Sequence, residues 1–194
     1  MTWALAPEGP VSASDANARL IGLYQAVRAG WRPPEEVQSA PDEPGTLADY
    51  CHFCLGFGGI PGAGIQKPFR EAIVRSGPEI GKVKRMWPHR ATAERIVREA
   101  LAPTSVRYID FLSVQPQQTG AVLYLDPPYA GTVGYEGVFN SDRFFERAEA
   151  WAKFGPVFIS EYACPIGREV WARDMKTGQF ARGKRTERLF LIGA

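Results

Sequence analysis

At 194 residues the chain is long enough for one domain with a substantial core, with room for at most a small insert. Hydrophobic residues make up 45% and charged residues 23%, and no apolar run approaches the roughly 18 residues that span a bilayer, which excludes a membrane-spanning helix. The formal net charge is only +2, and three unevenly spaced cysteines exclude a disulfide framework, so a reducing compartment, the cytoplasm by default, is expected.

Val11 to Asp15 reads as a short strand ending in an acid, and Asp15-Ala16-Asn17 then caps a helix running to about Ala29. Leu20, Leu23, Tyr24 and Val27 fall at helical spacing, and Gly30 with Pro33-Pro34 ends the pattern. Residues 32–46 hold four prolines and several acids, marking a connecting segment with the composition of a mobile one. A second helical stretch covers about 46–55. It contains Cys51-His52-Phe53-Cys54, half of a zinc or redox motif, but only Cys164 and His89 remain as further ligands, so the two thiols read better as small buried hydrophobes. Gly56 to Gly64 follows, five glycines in nine residues, a loop whose backbone can approach a ligand closely or can simply connect.

Helices are predicted at 67–76 and about 90–101. Between Lys67 and Arg107 there are ten Lys or Arg against four Glu, while the rest of the chain carries thirteen basic and seventeen acidic residues. Lys82, Lys84, Arg85 and Arg90, interleaved with Trp87 and His89, combine charge with flat side chains as a nucleic-acid surface does; a solvated helix face is the plainer alternative. Val106 to Val114 is β-type and contains Asp110 and Phe111. A polar turn leads to a strand ending at Asp126. Residues 141–154 make an amphipathic helix with Phe144, Phe145, Ala148 and Trp151, Pro156 to Ser160 is a strand, 165–175 a short helix, and Arg188 to Ile192 a last strand. Strand–helix alternation implies an α/β fold, one domain over 1–194, with a mostly parallel sheet and a helical, basic insertion at about 56–105.

The most informative stretch is Ala-Val-Leu-Tyr-Leu-Asp-Pro-Pro-Tyr at 121–129. Pro127 and Pro128 have no amide hydrogen to continue a ladder, so Asp126 and Tyr129 are delivered to a carboxyl strand end, where open α/β sheets bind ligands. An exocyclic amine is a poor nucleophile because its lone pair is delocalised into the ring. Two acceptors on its N–H bonds, the Asp126 carboxylate and the Pro127 carbonyl, favour a more pyramidal nitrogen, and the fixed φ of the prolines aims that carbonyl. Tyr129 then stacks on the base, which must leave a duplex to be reached. The plainer alternative is a strand ending in a Pro-Pro turn.

Asp126-Pro127-Pro128-Tyr129 resembles the signature of the S-adenosylmethionine-dependent amino methyltransferases of DNA. With Asp15, with Asp110-Phe111, and with the order of all three along the chain, it resembles the Dam-like adenine methyltransferases, most closely their short phage-type relatives. The Phe57-Gly58-Gly59 loop, Ala130-Gly131-Thr132 with Tyr135, and Ile159-Ser160-Glu161-Tyr162 share that pattern. The resemblance implies an incomplete Rossmann-like methyltransferase sheet and methyl transfer to adenine N6 in DNA. It assigns Asp126, Pro127, Pro128 and Tyr129 to catalysis, Asp15, Asp110 and Phe111 to the cofactor, and Lys82, Lys84, Arg85, Arg90, Thr132 and Tyr135 to DNA. The family's first strand and Phe-x-Gly-x-Gly loop do not precede Val11. Either that element is missing from this reading frame, or a partner chain supplies it, or, least in keeping with the helical look of 46–55, the Gly56–Gly64 loop substitutes. A partial methyltransferase that binds DNA or a partner, and an RNA base N-methyltransferase, stay open as alternatives.

Overall fold

In the computed structural model of this chain, Asn17 opens the first helix by accepting hydrogen bonds at its side-chain oxygen from the amides of Arg19 and Leu20, both at 3.1 Å. That satisfies two of the donors a helix start leaves without intrahelical partners. The structure describes residues 10–56, 64–75, 77–116, 120–129, 139–175 and 185–193, and the chain divides into two compact units, Met1–Asp110 and Phe111–Ala194. The architecture is mixed α/β, and among the described residues no helix is long and apolar enough to cross a membrane.

The first unit holds β1 (Ser12–Asp15), α1 (Ala18–Arg28), α2 (Thr46–Tyr50), the strands β2 (Arg70–Ile73) and β3 (Val83–Met86), α3 (Pro88–Leu101) and β4 (Ser105–Tyr108). α2 runs straight into a turn of π-helix at Cys51–Leu55. Leu23 and Val27 from α1, Tyr50, Cys51 and Leu55, and Ala93, Ile96 and Ala100 from α3 form its core. Each large apolar side chain among them contributes about 1.5–3 kcal/mol by leaving water. The proline-rich 32–46 segment is pinned to this core: Val37 is buried and its amide donates to His89 Nδ1 at 3.3 Å. β1 and β4 pair in parallel, and β2 and β3 in antiparallel register.

Of the two helices expected within 56–105, the second is present as α3 and the first is not. Residues 67–76 carry strand β2 rather than a helix, and β2 and β3 make a β-hairpin turned at Gly77 and Gly81, both at φ +85°. The positive φ of two glycines favours a turn there over a continuous helix.

The second unit opens on a short 3₁₀ turn (Phe111–Ser113), then β5 (Leu123–Leu125), α4 (Ser141–Trp151), β6 (Val157–Glu161), β7 (Arg168–Met175) and β8 (Arg185–Ile192). Its four-stranded sheet has the order β5-β6-β8-β7. α4 begins at Asn140, whose side chain accepts from the Arg143 amide at 2.9 Å. Phe144, Ala148 and Trp151, at helical spacing, pack with Val157, Ile159 and Ile192. Only β5 and β6 are parallel here; β8 runs antiparallel to both β6 and β7. The helix expected at 165–175 is the strand β7 instead. The link 176–184 between β7 and β8 is shorter than the dozen or so residues a parallel crossover takes, so β8 returns antiparallel to β7 and lies between it and β6, and the sheet is mixed rather than mostly parallel.

Candidate active site

Strand β5 is held at its start by an unusually close backbone approach. A Cβ on Gly155 would lie 2.2 Å from the Ala121 carbonyl oxygen, so only glycine lets the end of α4 pass there, and the Gly120 amide donates to Phe154 O at 2.6 Å. From that anchor β5 lies parallel to β6, with Leu123 opposite Val157 and Leu125 opposite Ile159. Leu123 and Leu125 pack on the α4 core, which by strand alternation turns Tyr124 to the other face. At the carboxyl end Asp126 is exposed, Pro127 buried, and Pro128 and Tyr129 half-buried.

The Tyr129 hydroxyl is hydrogen-bonded to Ser160 Oγ on β6. Its ring stands at 81° to Tyr162 with centroids 4.8 Å apart. Such an edge-on pair leaves at least one face of Tyr129 clear of Tyr162. Burial raises the phenol's pKa well above the usual tyrosine range; the Ser160 hydrogen bond opposes this, and the charges of Asp126 and Glu187 add to it. Tyr124 is shifted in the same direction for the same leading reason, with Ser160 and Asp126 again contributing. The segment after β6 is itself tied down. Tyr162 donates its amide to Glu161 Oε1 at 2.7 Å, and its carbonyl accepts from Arg188 at 2.8 Å while Arg188 pairs with Glu169 at 2.9 Å. Asp126, Pro127, Pro128 and Tyr129 are thus presented together at one end of a parallel strand pair, beside Ser160, Tyr162 and Tyr124.

Asp15 and Asp110 belong to the first unit, and the β1–β4 pair brings them to its same end. Asp15 is in register with Tyr108, and the Ile109 amide continues the ladder to the Asp15 carbonyl at 3.1 Å. Both acids are exposed. One Asp15 carboxylate oxygen accepts from the Asn17 amide at 2.7 Å, fixing the turn into α1. Phe111 does not accompany Asp110: its ring packs against Phe139 and Phe144 at 5.8 and 5.6 Å, in the core of the second unit. Its first role is packing, which the Asp-Phe pairing in sequence did not reveal.

The basic residues gather on the hairpin and the start of α3. Lys82, Lys84, Arg85 and Arg90 are all exposed. Lys84 pairs with Glu79 at 3.0 Å, and Arg90 with Glu94 at 3.2 Å, one helical turn on. The Arg85 guanidinium lies over Phe69 at 3.5 Å and Trp87 at 4.8 Å, each distance to the ring centroid. Thr132, Tyr135 and the Phe57-Gly58-Gly59 loop lie outside the described residues. The two cysteines of the Cys-x-x-Cys run are in or against the first unit's core, where burial raises both thiols and pushes Cys54 up to about 12.

Ser160, Tyr162 and Tyr124 had no assigned role in the reading of the sequence. The alternation of β6 was the available signal: a serine two residues past Phe158 faces the same side as Phe158, the residue opposite Tyr124. No family model matches the chain, and a search of curated proteins finds no match.

Proposed function

We propose that the chain is an S-adenosylmethionine-dependent methyltransferase acting on the exocyclic N6 amine of adenine in DNA, of the Dam-like kind. The observation that carries this reading is the presentation of Asp126 and Tyr129 side by side after parallel strand β5, with Asp126 exposed and Tyr129 tethered to β6. Asp126 accepts one N–H of the target amine and the Pro127 carbonyl the other, drawing the nitrogen toward the pyramidal form that attacks. Tyr129 receives the extruded base, and stacking of this kind recovers about 1–3 kcal/mol. The residues at the end of β1–β4 suit a nucleoside cofactor, because two exposed carboxylates there match the hydroxyl and amino donors of an adenosine. When bound, the cofactor supplies an electrophilic methyl group on its sulfonium. Alignment is then the main task left to the protein. Lys82, Lys84, Arg85 and Arg90 meet phosphates, and the Arg85 stack offers flat faces beside them.

A second reading, a partial methyltransferase that binds DNA or a partner chain supplying a further strand, is favoured by β1, which among the described residues has β4 alone as a neighbour. Purified chain incubated with tritiated S-adenosylmethionine and either unmethylated DNA or RNA tests both. Label in N6-methyladenine of DNA supports the first reading, and label in RNA alone moves the substrate to RNA. DNA binding without label or cofactor binding leaves the second.

A further inference from the structure

Ser160 sits in an otherwise apolar stretch, Val157-Phe158-Ile159, and is only 3% exposed. A hydroxyl is costly to bury without a hydrogen-bond partner, and this one is bonded to the Tyr129 phenol. Strand register puts Ser160 on the face that carries Tyr124: Tyr124 is opposite Phe158, and Ser160 lies two residues on, on the same side. Tyr129 itself follows two prolines, which have no amide hydrogen to donate to the ladder. Its ring is held by the Ser160 tether and by the edge-on contact with Tyr162, whose own carbonyl is gripped by Arg188.

From this geometry we infer that Ser160 is the positioning residue for Tyr129, holding the ring where a flipped base stacks before the base arrives. The inference rests on the stacking role given to Tyr129 above. Ser160 touches no reacting atom in this scheme. Its effect is to remove the ordering of a side chain from the step in which the base enters, a saving of the size that changes rates about two- to tenfold.

The test uses the full chain with 3-fluorotyrosine placed at 129, in wild type, Ser160→Ala and Ser160→Thr, read by fluorine NMR without DNA or cofactor. It is paired with kcat and KM for methyl transfer to DNA. Ser160→Ala is expected to move or broaden the resonance and to lower kcat about two- to tenfold with KM for DNA unchanged, and Ser160→Thr to restore both. Tyr129→Phe, which keeps the ring and removes the hydroxyl, is expected to match Ser160→Ala, and the double variant to lose no more than either alone. An unchanged resonance in Ser160→Ala, or additive losses in the double variant, overturns the inference. If the wild type methylates no DNA, the function proposed above fails separately, and the fluorine resonance alone decides whether Ser160 holds the ring.

Discussion

Around Tyr129 the polar groups are tied to the four-stranded sheet, by Ser160 on β6 and by Arg188 on β8 through the Tyr162 carbonyl, whereas on the β2–β3 hairpin every residue of β3 faces solvent. The hairpin nevertheless carries exposed apolar side chains, Ile73 and Val83 opposite one another and Met86 and Trp87 further along, beside its basic ones. The first region is held by hydrogen bonds to its sheet, and the second presents charge and flat side chains to solvent. Under the proposed function the first region serves chemistry and the second capture, and each is expected to be damaged without the other.

The greatest damage comes from beneath the first region. Trp151 is 2% exposed against the sheet that carries β5, so Trp151→Ala is expected to cost about 3–5 kcal/mol, read by urea unfolding. Asp126→Ala and Tyr129→Ala are each expected to lower kcat by about 10²–10³-fold, as for loss of one preorganised group at a reacting centre, with unchanged circular dichroism; Tyr129→Ala is also expected to cost about 1–3 kcal/mol of stability, because it takes the phenol from the buried Ser160 hydroxyl. Normal activity in Tyr129→Ala would remove its stacking role. Gly155→Ala forces a methyl group against the Ala121 carbonyl and is expected to destabilise by about 1–3 kcal/mol, with a loss of activity that follows stability rather than DNA affinity. For the hairpin, Lys84 and Arg85 changed together to Ala are expected to leave kcat intact, to weaken DNA binding in every sequence context, and to make the slope of log K against log salt shallower by about 2. An unchanged slope would return the hairpin to ordinary surface.

The smallest effect is confined to alkaline solution. Cys54 is pushed up to about 12, mainly by burial, with Arg95 pulling the other way. The stability that its protonated thiol contributes is whole below the ordinary thiol pKa and is lost as pH rises toward about 12. Unfolding of wild type and Cys54→Ala compared from pH 7 to pH 11 checks this, the gap between them changing only at the alkaline end.

What the sequence made legible follows from periodicity and punctuation. α1, α3 and α4 were readable because their apolar residues recur at helical spacing, and Asn17 was readable as a cap because its side chain competes for amides. The motif at 126–129 was readable because two prolines can only end a strand. β2 and β7 were misread as helices because Arg70-Glu71-Ala72-Ile73 and Arg168-Glu169-Val170-Trp171 contain good helix formers, and pairing with a neighbouring strand outweighed that local preference. The anchoring of Val37 in the proline-rich segment, and the grouping of Ser160 with two tyrosines, depend on contacts between residues far apart in sequence, which no local pattern records.

His89, fully buried at the start of α3, has a consequence of this long-range kind. Nδ1 accepts from the Val37 amide, so Nε2 must carry the proton that it shares with the Gln66 carbonyl at 2.7 Å. A single imidazole in one tautomer therefore rivets three stretches of chain, two of them lacking regular structure where they meet it. A phenylalanine there would fill the space yet strand an amide on one side and a carbonyl on the other. The entry to the hairpin and the proline-rich segment share a common fastening, and loosening one loosens both.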